Sequence, residues 1–284
     1  MNALFDNPIW FRERRAWAAQ AHRRRWWRRW RSGGLLLLWV MVFAACALLT
    51  LAIDRRCELD RIAEPAGVFA MYLTVGYLVL RSLIAGGSGL VRERELQTMD
   101  TLVSSPLPAR DLVVGKWMVA MLPLLLELLW ALPVALAVGW MGGGQGDDIT
   151  SAGIARGFLL SASLVVGLTG MGLAMSHRAT ASGKTATGSV MAGLALCGGT
   201  YVADLIVQIY LRSDNLVPVL CWLNPFTALW SAWAWWDNHL YYSSYSHQTV
   251  VTDHLWHVTA LFYLGLGLLS VWVTWVRLRR PSTR

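Results

Sequence analysis

The chain has 284 residues, 56% of them hydrophobic and only 15% charged, where soluble domains carry roughly 25% charged residues. That balance, with a mean hydropathy of +0.44, excludes an ordinary water-soluble enzyme, and apolar runs leave no length for a second soluble domain. The formal charge of +8 points either to nucleic acid or to an anionic membrane surface, and the positions of the basic residues decide between them.

Residues 1–33 are dense in Arg and Trp, from Asn7-Pro8-Ile9-Trp10 to Arg28-Arg29-Trp30-Arg31. Trp10 and Trp17, and likewise Trp26 and Trp30, are spaced to share a helix face. The two pairs do not share one face, so two helical pieces or a bend are expected. A basic, Trp-bearing helix beside a span reads as an interfacial elbow lying flat in the headgroups on the cytoplasmic side.

Residues 34–284 read as one all-α transmembrane domain of six spans. A hydrocarbon core about 30 Å thick needs roughly 20 apolar helical residues. Gly34–Ile53 meets this without a charge. Its apolar run is longer than a signal-peptide core, and although Ala44-Ala45-Cys46 is similar to a lipoprotein cleavage site, the segment reads as an anchored helix. The second span is Ala66–Leu83, with Arg81 near enough to its end to snorkel. Trp117–Met141 follows, interrupted by Pro123, Glu127 and Pro133. Then come Gly157–Met175, Gly188–Leu211 (containing Asp204) and Leu255–Val276. Leu216–Trp236 is also uncharged, but Pro218 and Pro225 break its helical pattern, and its five tryptophans suit an interface. It is expected as a re-entrant or interfacial cap on the outer side.

With six spans and the N-terminus inside, 20 Lys and Arg residues fall on the cytoplasmic side against five outside: Arg55, Arg56, Arg61, Arg156 and Arg212. Topology thus accounts for the net charge, and no nucleic-acid partner is expected. Of the four cysteines, Cys57 and Cys221 fall on the outer side, where pairing is open; none of the four has metal-ligand spacing.

The connection 85–116 is the most informative stretch. Ala85-Gly86-Gly87-Ser88-Gly89 is expected to relax the chain after the second span. Leu96, Met99, Leu102 and Val103 then repeat at helical spacing, giving an amphipathic cytoplasmic helix that Ser105-Pro106 ends. Asp111 favours the start of the next helix through its dipole. The pattern describes a short rod held by two spans and offered to the cytosol.

This segment resembles the coupling region of the type-2 ATP-binding cassette permeases, whose pattern runs roughly E-R-E-x-G-T, a Leu-rich turn, S/T-P, an Arg-acidic pair and G-K. Glu93, Arg94, Glu95, Thr98, Leu102, Pro106, Arg110, Asp111, Gly115 and Lys116 match it, while Gln97 stands where the family prefers Gly. The Asn-Pro opening with its basic elbow, and Leu223-Asn224-Pro225-Phe226-Thr227-Ala228-Leu229, are also similar to that family. The resemblance implies an exporting permease subunit, paired with a second copy or sister chain and driven by cytosolic ATPase subunits that hold the ATP and magnesium. It implies ATPase coupling through Glu93, Arg94, Glu95, Thr98, Asp100 and Arg110, with Leu96, Met99 and Leu102 as the apolar docking face. The location implied is the bacterial inner membrane, with both termini cytoplasmic.

Other patterns carry less. Ser182-Gly183-Lys184-Thr185 ends like a phosphate-binding loop, but Arg178 replaces the required Gly and a membrane helix precedes it, so a cytoplasmic turn is expected. Met141-Gly142-Gly143-Gly144-Gln145 lies in an outer loop without an ATPase domain, so this chain is not expected to hydrolyse ATP. His254 and His257 lack further ligands and read as interfacial, and no nucleophilic triad stands out. Glu127 and Asp204 are ionisable groups inside spans, each costing about 2.5–3.5 kcal/mol on insertion scales. Each either lines a translocation path or dimer seam, or is a carboxyl protonated or hydrogen-bonded between helices. Two other classes compete with the transporter subunit: a secondary transporter, which would need inverted repeats that are not evident here, and a non-transporting membrane scaffold, which leaves the cytosolic helix unexplained.

Overall fold

The computed structural model describes residues 34–53, 59–98, 108–142, 151–177, 181–200, 202, 206, 223–234 and 255–279. Within them every regular element is helical. The elements are α1 (Gly34–Ile53), α2 (Leu59–Glu95), α3 (Ala109–Gly142), α4 (Ser151–Ser176), α5 (Ser182–Leu194, continued by a π turn Ala195–Gly199), α6 (Pro225–Ala234) and α7 (Leu255–Arg279). Four stretches are long and apolar enough to cross a membrane: Ala66–Glu95, Ala109–Ala137, Gly153–Ser176 and Trp256–Arg279. Helices are the form these runs must take in lipid, which offers backbone N–H and C=O no other partner. Large apolar side chains are exposed on six helices, among them Met41, Leu73, Leu129, Leu159, Met191 and Leu268. A belt of that kind suits lipid and is a liability in water. The chain therefore has the character of a multi-pass helical membrane protein.

α4 is the most enclosed of the four apolar stretches, packed between α2 and α7. The main core joins Trp39 of α1, Met71 and Leu78 of α2, Leu124 of α3, Leu160 and Leu164 of α4, and Tyr263 of α7. Polar side chains stitch the same seams. Trp39 Nε1 donates to Thr74 Oγ1 across α1 and α2 at 3.1 Å, and Trp117 Nε1 donates to Thr169 Oγ1 across α3 and α4 at 3.1 Å. Ser189 Oγ of α5 donates to the Leu83 carbonyl of α2 at 3.3 Å.

Several expected boundaries shift. The glycine run after the second span does not relax the chain, because α2 continues through it to Glu95. A glycine in a helix interior costs about 1 kcal/mol against alanine. Here close packing offsets that cost: a Cβ on Gly86 would stand 2.1 Å from the Thr169 carbonyl oxygen of α4. The α4–α7 seam is equally tight, and a Cβ on Gly170 would meet the Gly267 carbonyl oxygen at 2.7 Å. Pro123 and Pro133 lie inside an unbroken α3 rather than interrupting it. The stretch 182–185 is the first turn of α5 and not a free turn, with Thr185 Oγ1 donating to the Ala181 carbonyl at 3.2 Å. Pro225 starts α6 instead of breaking a helix, as its fixed φ and missing N–H allow at a first helical position.

A smaller cluster, Leu90, Val113, Leu173 and Val271 with Trp275 and Leu278 against it, gathers one end of α2, α3, α4 and α7. Arg92, Arg110, Arg277 and Arg279 are exposed around it, so this is the basic end of the described bundle.

Candidate functional site

At the basic end, α2 stops in a Schellman turn. Thr98 N donates to the Glu93 carbonyl at 2.9 Å and Gln97 N to the Arg94 carbonyl at 3.0 Å. These are the paired bonds that satisfy the last carbonyls of a helix when the following residue turns left-handed. Gln97 takes that role with φ of 56°. Glycine adopts this conformation freely; glutamine pays about 1–2 kcal/mol for it. The rod, expected from the sequence at about Glu95–Ser104, therefore does not begin at Glu95, which is the last residue of α2. Leu96 and Gln97 form the turn, Leu96 is 61% exposed, and Met99, Asp100 and Leu102 lie outside the described residues.

The turn brings Thr98 back onto Glu93. Thr98 Oγ1 donates to Glu93 Oε2 at 2.5 Å, and Lys116 Nζ of α3 donates to Glu93 Oε1 at 2.6 Å. Glu93 and Lys116 are both buried, at 7% and 6% exposure. A buried carboxylate needs a charged partner and filled lone pairs, and Glu93 has both. Of the expected coupling residues, Glu93 and Thr98 are thus brought into contact. Glu95, Leu96 and Arg110 are exposed at the same end and Arg94 is half-buried there. Asp111 sits in the first turn of α3, where its charge suits the helix dipole. Lys116, matched in the family pattern but not counted among the coupling residues, is the group that completes the cluster.

A second polar cluster lies deeper between the same helices. Glu127 of α3 is buried at 4% exposure. Tyr77 Oη of α2 donates to its Oε2 at 2.9 Å, and Arg81 of α2 donates to its Oε1 at 3.2 Å. Arg81 also donates to Tyr77 Oη and stands over the Tyr77 ring at 5.3 Å. Arg81 is therefore not a residue at the end of its span reaching for the headgroups. It lies mid-way along the apolar stretch Ala66–Glu95 and forms an ion pair across to α3. Two opposite charges inside neighbouring spans were the sequence signal for this pairing, and a span drawn to end at Leu83 concealed it. Asp204 lies outside the described residues.

Away from the basic end, Asn224 is buried and caps α6. Its Oδ1 accepts from Phe226 N at 2.9 Å, and its Nδ2 donates to the Cys197 carbonyl in the π turn at 3.0 Å. Tyr263 Oη of α7 donates to the Leu223 carbonyl at 2.7 Å, and Phe226 stacks on Tyr72 of α2 with centroids 6.0 Å apart. The Leu223–Phe226 motif thus anchors α6 to α2, α5 and α7. Residues 216–222, 235 and 236 of the expected cap, the elbow 1–33, Cys57, Cys221 and His254 lie outside the described residues. His257 is exposed, with its ring against Trp256. Among the described residues no group of three or more His, Cys, Asp and Glu side chains is arranged to hold a metal ion.

Comparison with protein-family models gives no match, and neither does comparison with curated proteins.

Proposed function

We propose that the chain is the membrane-spanning subunit of an ATP-driven transporter of the cassette type, working by alternating access and exporting its substrate. In this reading α1 and α5 add two spans to the four long apolar stretches, giving six, with an interfacial elbow before α1 and α6 as part of an outer cap. The basic end faces the cytosol, in accord with the positive-inside tendency. A second copy or sister chain completes the pathway, and a separate cytosolic ATPase supplies ATP hydrolysis, since no phosphate-binding loop in its required setting is found in this sequence. The bacterial inner membrane is the proposed location.

One observation carries the reading: the α2–α3 connection at the basic end is anchored by the buried Glu93–Lys116 pair, while Glu95, Leu96 and Arg110 are left exposed beside it. An anchored base with exposed charges is what a partner needs in order to push on two helices, whereas a loop with no such duty needs neither the buried pair nor a glutamine held left-handed. Closure of the ATPase pair would move this end and shift the population between inward- and outward-open forms.

The test is affinity purification of the full chain in mild detergent from its native host. An ATPase is expected to copurify with the wild-type chain and to be lost, at equal abundance of the chain, from Glu95→Arg and Arg110→Glu. Wild-type chain that carries no ATPase overturns the proposal.

A further inference from the structure

The two ion pairs between α2 and α3 have opposite polarity. On α2 the cation Arg81 precedes the anion Glu93; on α3 the cation Lys116 precedes the anion Glu127, and the helices run antiparallel. Arg81 and Glu93 are twelve residues apart, and Lys116 and Glu127 eleven. At about 1.5 Å per residue the spacings are about 18 Å and about 16 Å along the two axes, so both pairs close at one common register. Sliding one helix by a turn, about 5.4 Å, opens both pairs together. Such a slide would bring Arg81 toward Lys116 or Glu93 toward Glu127, and like charges repel. Leu or Val contacts along this seam would tolerate a slide far better, since one apolar side chain replaces another with little loss.

We infer that the Arg81–Glu127 and Glu93–Lys116 pairs lock α2 and α3 in a single register, so that the two helices move as one lever, with Arg81 and Lys116 as its positioning residues. The word lever rests on the transporter reading above; the register lock does not. Thr98 extends the lock to the chain leaving α2, because it is bound to the same carboxylate as Lys116. In consequence a force applied near Leu96 reaches the level of Glu127 as a displacement of both helices together, and not as a sliding of one past the other.

The test uses the full chain with its four cysteines replaced by serine and spin labels at two exposed positions, Ser88 on α2 and Leu129 on α3. Their separation has a large axial part and therefore reports sliding. Electron–electron resonance is expected to give one narrow distance distribution that does not shift by as much as a turn when a non-hydrolysable ATP analogue is added together with the copurifying ATPase. Lys116→Met with Arg81→Met is expected to broaden or shift the distribution by several ångströms. Lys116→Arg, and the exchanged pairs Glu93→Lys with Lys116→Glu and Arg81→Glu with Glu127→Arg, are expected to restore the narrow distribution. A wild-type distance that shifts by a turn on nucleotide binding overturns the inference, as does a narrow distribution in the double Met variant. Should the double Met variant fail to fold, the exchanged pairs decide: a narrow distribution supports the lock, and a broad or shifted one overturns it. The nucleotide-free measurements stand even if no ATPase copurifies, so loss of the transporter reading and loss of the lock are separate results.

Discussion

The two ion pairs that join α2 to α3 differ in how far each is withdrawn from its surroundings, and the difference separates two duties. At the basic end both partners are buried, and Glu93 is also held by Thr98 from the chain that follows. In the deeper pair Glu127 is equally enclosed, but Arg81 is 28% exposed and shares Glu127 with Tyr77. Each carboxylate also accepts from a hydroxyl, Glu93 from Thr98 and Glu127 from Tyr77, so the pairs differ in the burial of the cation and not in the number of donors. Losing a fully enclosed cation is therefore expected to cost more than losing a partly exposed one, whose place solvent can take.

This contrast sets an order of effects. Lys116→Met leaves Glu93 buried without its cation and is expected to destabilise the protein by about 3–5 kcal/mol, read by thermal unfolding in detergent. Replacing both partners, as in Glu93→Leu with Lys116→Met, should recover much of that loss, because an apolar pair leaves no charge behind. Arg81→Met is expected to cost less, roughly 1–3 kcal/mol, since Arg81 is partly exposed and solvent can reach the carboxylate it leaves. Equal losses for Lys116→Met and Arg81→Met would show that the exposure of the cation does not set the difference. The smallest effect is expected at the turn. Gln97→Gly relieves a left-handed glutamine and should stabilise the protein by about 1 kcal/mol without touching either pair.

Much of the helical layout was legible in the sequence, because lipid forces long apolar runs into helices whatever their neighbours. The start of α1 at Gly34, its end at Ile53 and the start of α7 at Leu255 coincide with the apolar limits read from the chain. The reading was weakest wherever a residue's conformation depends on what packs against it. Gly86 and Gly87 signal flexibility in isolation, yet they permit α2 to lie against the α4 and α5 neighbours that would otherwise clash. The same dependence hid Arg81, whose role is fixed by a carboxylate 46 positions away, a separation no periodicity reports. Glu93 and Thr98 were singled out only through a resemblance, and the geometry shows a local contact: Thr98 and Lys116 both donate to the Glu93 carboxylate. Gln97, standing where that family prefers Gly, occupies the one left-handed non-glycine position among the described residues.

The most direct test places a photo-crosslinking amino acid at Leu96, the exposed turn residue beside the Glu93–Lys116 pair, in cells carrying the full chain. Irradiation is expected to join the chain to a cytosolic nucleotide-binding protein, with a yield that changes when cellular ATP is depleted. A crosslink to lipid alone, or to a protein on the outer face of the membrane, would contradict the proposal that this end is gripped by an ATPase.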